Sequence, residues 1–276
     1  MLTISNGYIR LRLNYMINIT GLPDNVSGID VLFDFTMDTP GFWEGFWDRR
    51  EGLGAGGADP DLKSQTLRRY HQLLWSRELP NGEMMNLEDG RSRFYLKWND
   101  IYFGSDSITA SFRHTRDKWL IQKVQDSIPD YKSYTESYLH HNYTLGGMMI
   151  LPAIRWSINQ ARGCNPRIRD RWDLTLECIR RYYLGESTPL DSTLTLPTNV
   201  HFFELFVDFK GFVDFFFLQD CVAPDYSKVV LWLDTPLFET NPIPKTVDAY
   251  RFFIDKEIEF VESRNNRIDS FIKRQT

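Results

Sequence analysis

The sequence predicts an α+β fold: a strand-rich N-terminal half forming a mostly antiparallel sheet, packed by a helix-rich C-terminal half. Three observations carry this. Short apolar or aromatic runs broken by Asn, Asp and Gly crowd the first half, as in Phe94–Trp98, Ile101–Phe103 and Ser107–Phe112. Longer stretches with apolar residues every three or four positions dominate the second, above all Ile168–Tyr183 and Thr246–Phe271. Strands followed by helices, without βαβ alternation, is the α+β order. A chain of 276 residues that is 42% hydrophobic is long enough for one large core. It is read as a single domain over 29–276 preceded by an extension over 1–28.

Taken in order, residues 3–19 alternate as in a hairpin arm and Gly21–Gly28 is a turn. Ile29, Val31, Phe33 and Phe35 alternate with Asp30, Leu32, Asp34 and Thr36, which predicts a strand with one buried face. The segment Asp38–Arg50 crowds Phe42, Trp43, Phe46 and Trp47 between glycines and is read as an aromatic loop. Gly52–Gly57 is glycine-rich but lacks the Gly-Lys-Ser/Thr ending of a phosphate loop. A helix over 59–76 follows, with Leu67, Tyr70 and Leu74 on one face and Asp61 or Ser64 able to cap it. After the sheet meander, helical spacing resumes over 118–140 in two pieces split by Pro129, and Met148–Leu151 returns to a strand.

In the central helix, Trp172, Leu176, Ile179 and Tyr183 form an apolar stripe ended by Gly185. Its other face carries Arg169, Asp173, Glu177 and Arg181 at four-residue spacing, a ladder of helix-surface pairs. Beyond it, Phe202–Cys221 reads as an aromatic helix pair hinged at Gly211, and Val229–Leu233 as a late strand.

Bulk properties limit function. With 32 Lys and Arg against 37 Asp and Glu, the net charge is -5, which argues against general coating of nucleic acid but leaves room for a local basic groove. Cys164, Cys178 and Cys221 stand apart with no pairing or ligand spacing, the usage of a reducing compartment. Cys178 and Cys221 read as core. No run reaches the roughly 18 apolar residues of a membrane span, and no signal-peptide pattern opens the chain, so a cytoplasmic protein is expected. The composition names no cofactor and no metal site.

Candidate chemistry centres on residues 157–183. Asn159, Gln160 and Arg162, with Arg169 and Arg171, gather amide and guanidinium donors around a turn that opens a helix, a pattern suited to phosphate or carboxylate. Trp43 and Trp47 beside Arg49 are candidate stacking groups for a base. His71, Asp38 and Asp173 are the candidates for proton chemistry, and Asp34, Asp38 and Asp106 form a weaker carboxylate set for metal-assisted hydrolysis.

The segments DTPGFWEGFWDR (38–49), TLRRYHQLLWSRELPNGE (66–83), GSDSITASF (104–112), SINQARG (157–163) and IRDRWDLTLECIRRYY (168–183) together resemble an uncharacterised family of bacterial proteins, a domain of unknown function. The resemblance spans about 30–267. It implies a bacterial cytoplasmic protein and brings no activity or catalytic residue. Two functions follow from the residues: binding or processing of a phosphate-bearing ligand, nucleotide or nucleic acid, and a non-enzymatic interaction or regulatory module. The 15% aromatic content suits the second, and a homo-oligomer is compatible with either.

Overall fold

The computed structural model describes residues 26–51, 59–90, 95–110, 112 and 119–275. Its sheet has four antiparallel strands in sequential order: β1 (Glu88–Asp89), β2 (Leu96–Trp98), β3 (Ile101–Ser107) and β4 (Met148–Pro152). The tight connection between β2 and β3 needs a left-handed residue, and Asn99 takes it with φ of 49°. β3 pairs with β4 from Phe103 opposite Pro152 to Ser107 opposite Met148. Every residue of β4 is buried, because the helices α6 (Ile158–Cys164) and α9 (Pro197–Glu204) pack against it. A covered edge is one way a sheet avoids pairing with other chains.

The α+β class holds, with several elements differing from the periodicity. Residues 29–36 are not a strand but a series of turns: the Asp30 and Asp34 carboxylates accept the N–H groups of Leu32 and Thr36 at 3.0 and 2.9 Å. Such side-chain turns compete with a ladder for the backbone. The expected aromatic loop is helix α1 (Phe42–Glu51), since Phe42 and Phe46 bury one face at four-residue spacing. The 59–76 helix is two, α2 (Pro60–Lys63) and α3 (Gln65–Trp75), capped by Asp59 and Ser64. Residues 108–110 leave the sheet, and 229–233 form no strand beyond a single bridge from Val229 to Val222. The expectations for residues 3–19 and Gly52–Gly57 lie outside the described residues.

The Pro129 break is present, between α4 (Trp119–Asp126) and α5 (Tyr131–Asn142). Helix α7 (Trp172–Tyr183) starts four residues later than the pattern suggested, because Arg169 and Asp170 take left-handed backbone. After the short α8 (Asp191–Leu194) and α9, the break before α10 (Phe209–Phe215) falls at 205–208 instead of Gly211. Asp208 caps α10 by accepting Gly211 N–H at 2.7 Å, and a Cβ on Gly211 would lie 2.1 Å from the Phe206 carbonyl oxygen. That glycine permits close approach, not bending.

The last helix, α11 (Val247–Gln275), ties the molecule together. Arg264, fully buried, donates to the carbonyls of Phe216, Gly146 and Met148 at 2.9, 2.7 and 2.8 Å. Its neighbour Asn265 accepts Gly146 N–H and donates to Thr144 Oγ1. Gly146 is where helix and turn meet: an added Cβ would sit 2.3 Å from the Val261 carbonyl oxygen. A second cation, Arg77, is enclosed by the rings of Trp75, Phe215, Phe217 and Phe271, and burial pulls its pKa down to about 10.

Candidate functional site

The arginines expected to hold an anion are occupied by the protein itself. Arg162 is 2% exposed and donates to Asp106 Oδ2 through Nη2 and Nε, to the Ser107 carbonyl and to the Asp170 carbonyl at 3.0 Å. The Asp170 carboxylate stands 3.4 Å from its Nη1. Arg171, fully buried, bonds both oxygens of Asp173, along with Thr235 Oγ1 and the Pro242 carbonyl. Arg169 donates to Asn241 Oδ1. Of the anticipated helix ladder, Glu177 does bond Arg181 at 2.9 Å, and also Arg180, while residue 169 lies outside the helix.

The other candidates scatter. Gln160 Oε1 accepts Trp156 N–H, and Asn159 Oδ1 is buried with no partner among the described residues. Trp43 packs on His140 with ring centroids 4.9 Å apart, and Trp47 donates to Glu136 Oε1 at 2.9 Å, so both tryptophans are half-buried against α5. Arg49 falls in α1, its side chain outside the described residues. Asp38 accepts Thr66 N–H, Asp34 faces His140 at 2.6 Å and Asp106 faces Arg162, so the three carboxylates have three separate partners. Asp173, fully buried, is occupied by Arg171 and Trp232 N–H.

His71 leads to the arrangement richest in chemistry. It is 1% exposed on α3, and its Nδ1 accepts the Trp75 indole N–H at 3.0 Å. Accepting there leaves the proton on Nε2, which donates to Ser105 Oγ at 3.0 Å. Ser105 in turn donates to Asp61 Oδ1 at 2.7 Å. Asp59 and Asp61 flank Pro60 at the start of α2, Ser105 and Asp106 are adjacent on β3, and Arg162 reaches in from α6. Desolvation, then the charges of Asp59 and Asp106, raise the Asp61 carboxyl well above its usual range. Desolvation also raises Asp106, against the lowering pull of Arg162. Asp106 nonetheless keeps 28% of its side chain exposed, so the cluster opens to solvent on that side.

Sequence reasoning found His71, Arg162 and Asp106 separately and saw Asp61 only as a cap. It missed Asp59 and Ser105, because no local spacing links a carboxylate to a serine 44 residues away.

Burial, with help from the Arg264 charge, lowers the His71 pKa to about 3 from 6.5. A depressed base favours folding least in acid: below pH 6.5 the unfolded chain takes up a proton that the folded chain refuses. Stability should therefore fall from pH 6.5 downward, by about 2 kcal/mol at pH 5 from this group. Urea titrations of wild type and His71→Gln across that range check it. The slope with pH should be shallower in the variant, and equal slopes would refute the assignment.

Among the described residues there is no group of three or more His, Cys, Asp and Glu placed to hold a metal ion, and no helix is long and apolar enough to cross a membrane. Comparison with curated proteins and with solved structures finds no match. One family profile does match, over residues 29–268. It covers α1 through most of α11 and so includes the whole acid cluster, and the chain accordingly belongs to a family of unknown function (DUF6994).

Proposed function

We propose that this protein binds a hydroxyl- or amine-bearing ligand at Asp59, Asp61, Ser105 and Asp106 and performs acid–base chemistry on it. The supporting observation is the Trp75–His71–Ser105–Asp61 hydrogen-bond chain, which ends on a carboxyl whose proton affinity is raised by burial and by the neighbouring Asp59 and Asp106. Two carboxyls whose surroundings separate their proton affinities supply a donor and an acceptor in one place. Three acids around one guanidinium favour a neutral or cationic ligand over an anionic one.

A phosphate-bearing ligand, nucleotide or nucleic acid, is the second reading, and Trp156 supports it. That side chain is 64% exposed, and its backbone is left-handed with φ of 62°, at a cost of about 1–2 kcal/mol. Exposed Arg155 precedes it, so a stacking ring and a cation share a rim. A bacterial cytosolic setting accompanies either reading, supported by the unpaired cysteines. The interaction-module reading draws less support, since Trp43 and Trp47 are half-buried against α5.

The test is a panel of chromogenic esters, glycosides and phosphates, run with mass spectrometry of small molecules retained through purification. Turnover of one class, reduced about 100-fold or more in Asp61→Asn at an unchanged melting temperature, is the expected result. No turnover, or turnover indifferent to Asp61→Asn, overturns the acid–base reading. A retained nucleotide lost in Trp156→Ala would carry the second instead.

A further inference from the structure

The hydrogen bonds that reach Asp61 run in one direction, and the residue that sets it lies at the far end, in the core. An indole N–H can only donate. Trp75, fully buried, gives its N–H to His71 Nδ1 at 3.0 Å, so Nδ1 is the bare, accepting nitrogen of a neutral ring and the ring proton stands on Nε2. Nε2 then donates to Ser105 Oγ at 3.0 Å, which leaves the Ser105 hydroxyl to donate to Asp61 Oδ1 at 2.7 Å. A reversed chain would set two donors against each other at Nδ1. Desolvation, and after it the Arg264 charge, keep the ring neutral down to a pKa of about 3, so the direction holds across the ordinary pH range.

That direction has a consequence at Asp61. Its Oδ1 accepts the serine most strongly as the carbonyl oxygen of a neutral acid, which places the carboxyl proton on Oδ2. Asp61 is half-buried, its backbone N–H donates to Asp59 Oδ1 at 3.3 Å, and the Asp59 carboxylate lies within hydrogen-bond reach of the Asp61 carboxyl. Asp106 is arranged the other way. Arg162 donates Nη2 and Nε to its Oδ2 at 2.8 and 3.2 Å, and such bonds favour the charged form. The charges that bear on Asp61 are those of Asp59, Asp106 and Arg162.

We propose that Trp75 and His71 are positioning residues: they fix Ser105 as a one-way donor to Asp61 Oδ1, so that Asp61 offers its proton from Oδ2 as the acid while Asp106, held by Arg162, is the base. This rests on the acid–base reading of the cluster and divides the work within it. The Oδ2 proton passes to the ligand, and the proton the ligand gives up passes to Asp106. Ser105 keeps its own proton throughout and steadies the Asp61 carboxylate as it forms. Trp75 and His71 act through Ser105 and do not touch the ligand.

Nitrogen-15 NMR of the histidine-labelled full chain, assigned against His71→Gln, reads the tautomer. Infrared difference spectra against Asp61→Asn read the Asp61 carboxyl band as pH is raised. The expected tautomer is Nε2–H in wild type and a mixture in Trp75→Phe, which lacks the indole N–H. Ser105→Ala should raise the pH at which the Asp61 band is lost by about one unit, and Ser105→Thr should restore it. A merely structural serine would change melting and leave that midpoint in place. Where Trp75→Phe fails to fold, the wild-type tautomer and the two Ser105 variants decide. The inference is overturned by Nδ1–H in wild type, by Nε2–H alone in a folded Trp75→Phe, or by a midpoint indifferent to Ser105→Ala. Any of these with substrate turnover intact sinks this inference alone; absent turnover with both spectra as expected sinks the acid–base reading on which it rests.

Discussion

Arg264→Ala is expected to cost about 3–5 kcal/mol, close to the whole stability of a marginal domain and lowering the melting temperature by roughly 10 °C. The guanidinium is fully buried and has three carbonyl partners and the Met149 thioether, with no carboxylate bonded to it among the described residues. Truncation removes the donors of Phe216, Gly146 and Met148 together and opens a cavity where a large side chain stood. Arg264→Lys should recover only part of the loss, because an ammonium lacks the planar fork that reaches all three. Chemical denaturation of both variants settles it, and a loss below about 1 kcal/mol for the alanine variant would show that the carbonyls find other donors.

Asp173→Ala should be almost as damaging, about 3–5 kcal/mol, because it strands a fully buried cation. Arg171 loses both carboxylate bonds and the Trp232 N–H loses its acceptor, leaving Thr235 and Pro242 as the only described partners. The double replacement Arg171→Met with Asp173→Leu should regain much of the stability, since apolar groups of similar volume need no partner. If single and double variants lose the same amount, the pair is not what holds this region. A catalytic Asp173 would show the opposite profile: activity lost with melting unchanged.

Where local spacing carries the information, the sequence was legible. The pair of strands around Asn99, the strand at 148–152, the break at Pro129 and the core positions of Cys178 and Cys221 all follow from period and punctuation, whereas the strand expected at 107–112 does not form and Glu88–Asp89 was not foreseen. It misled where side chains compete with the backbone. Asp30 and Asp34 sit at positions that read as the polar face of a strand, yet they bend the chain by bonding it. The glycines around Phe42–Trp47 suggested a loop, although Phe42 to Phe46 and Trp43 to Trp47 are both helical intervals.

The functional residues were harder for a different reason. Arg162 was visible as a cation in a polar stretch, but Asp106, which occupies it, lies 56 positions earlier on another element. Whether a guanidinium is available to a ligand depends on such distant partners, and composition does not encode them. The same holds for Ser105, which acquires meaning only when α3 and α2 bring His71 and Asp61 to either side of it.

The pairing of Arg264 with Gly146 and Met148 spans more than a hundred residues of chain. During synthesis the sheet and its adjoining turn emerge from the ribosome long before the side chain that completes them. Contacts of such sequence separation slow folding and leave incomplete intermediates exposed. The Gly146 and Met148 carbonyls should thus stay unmet even after α6 and α9 have covered the strand beside them, and nascent chains halted before residue 264 should hold that turn only loosely.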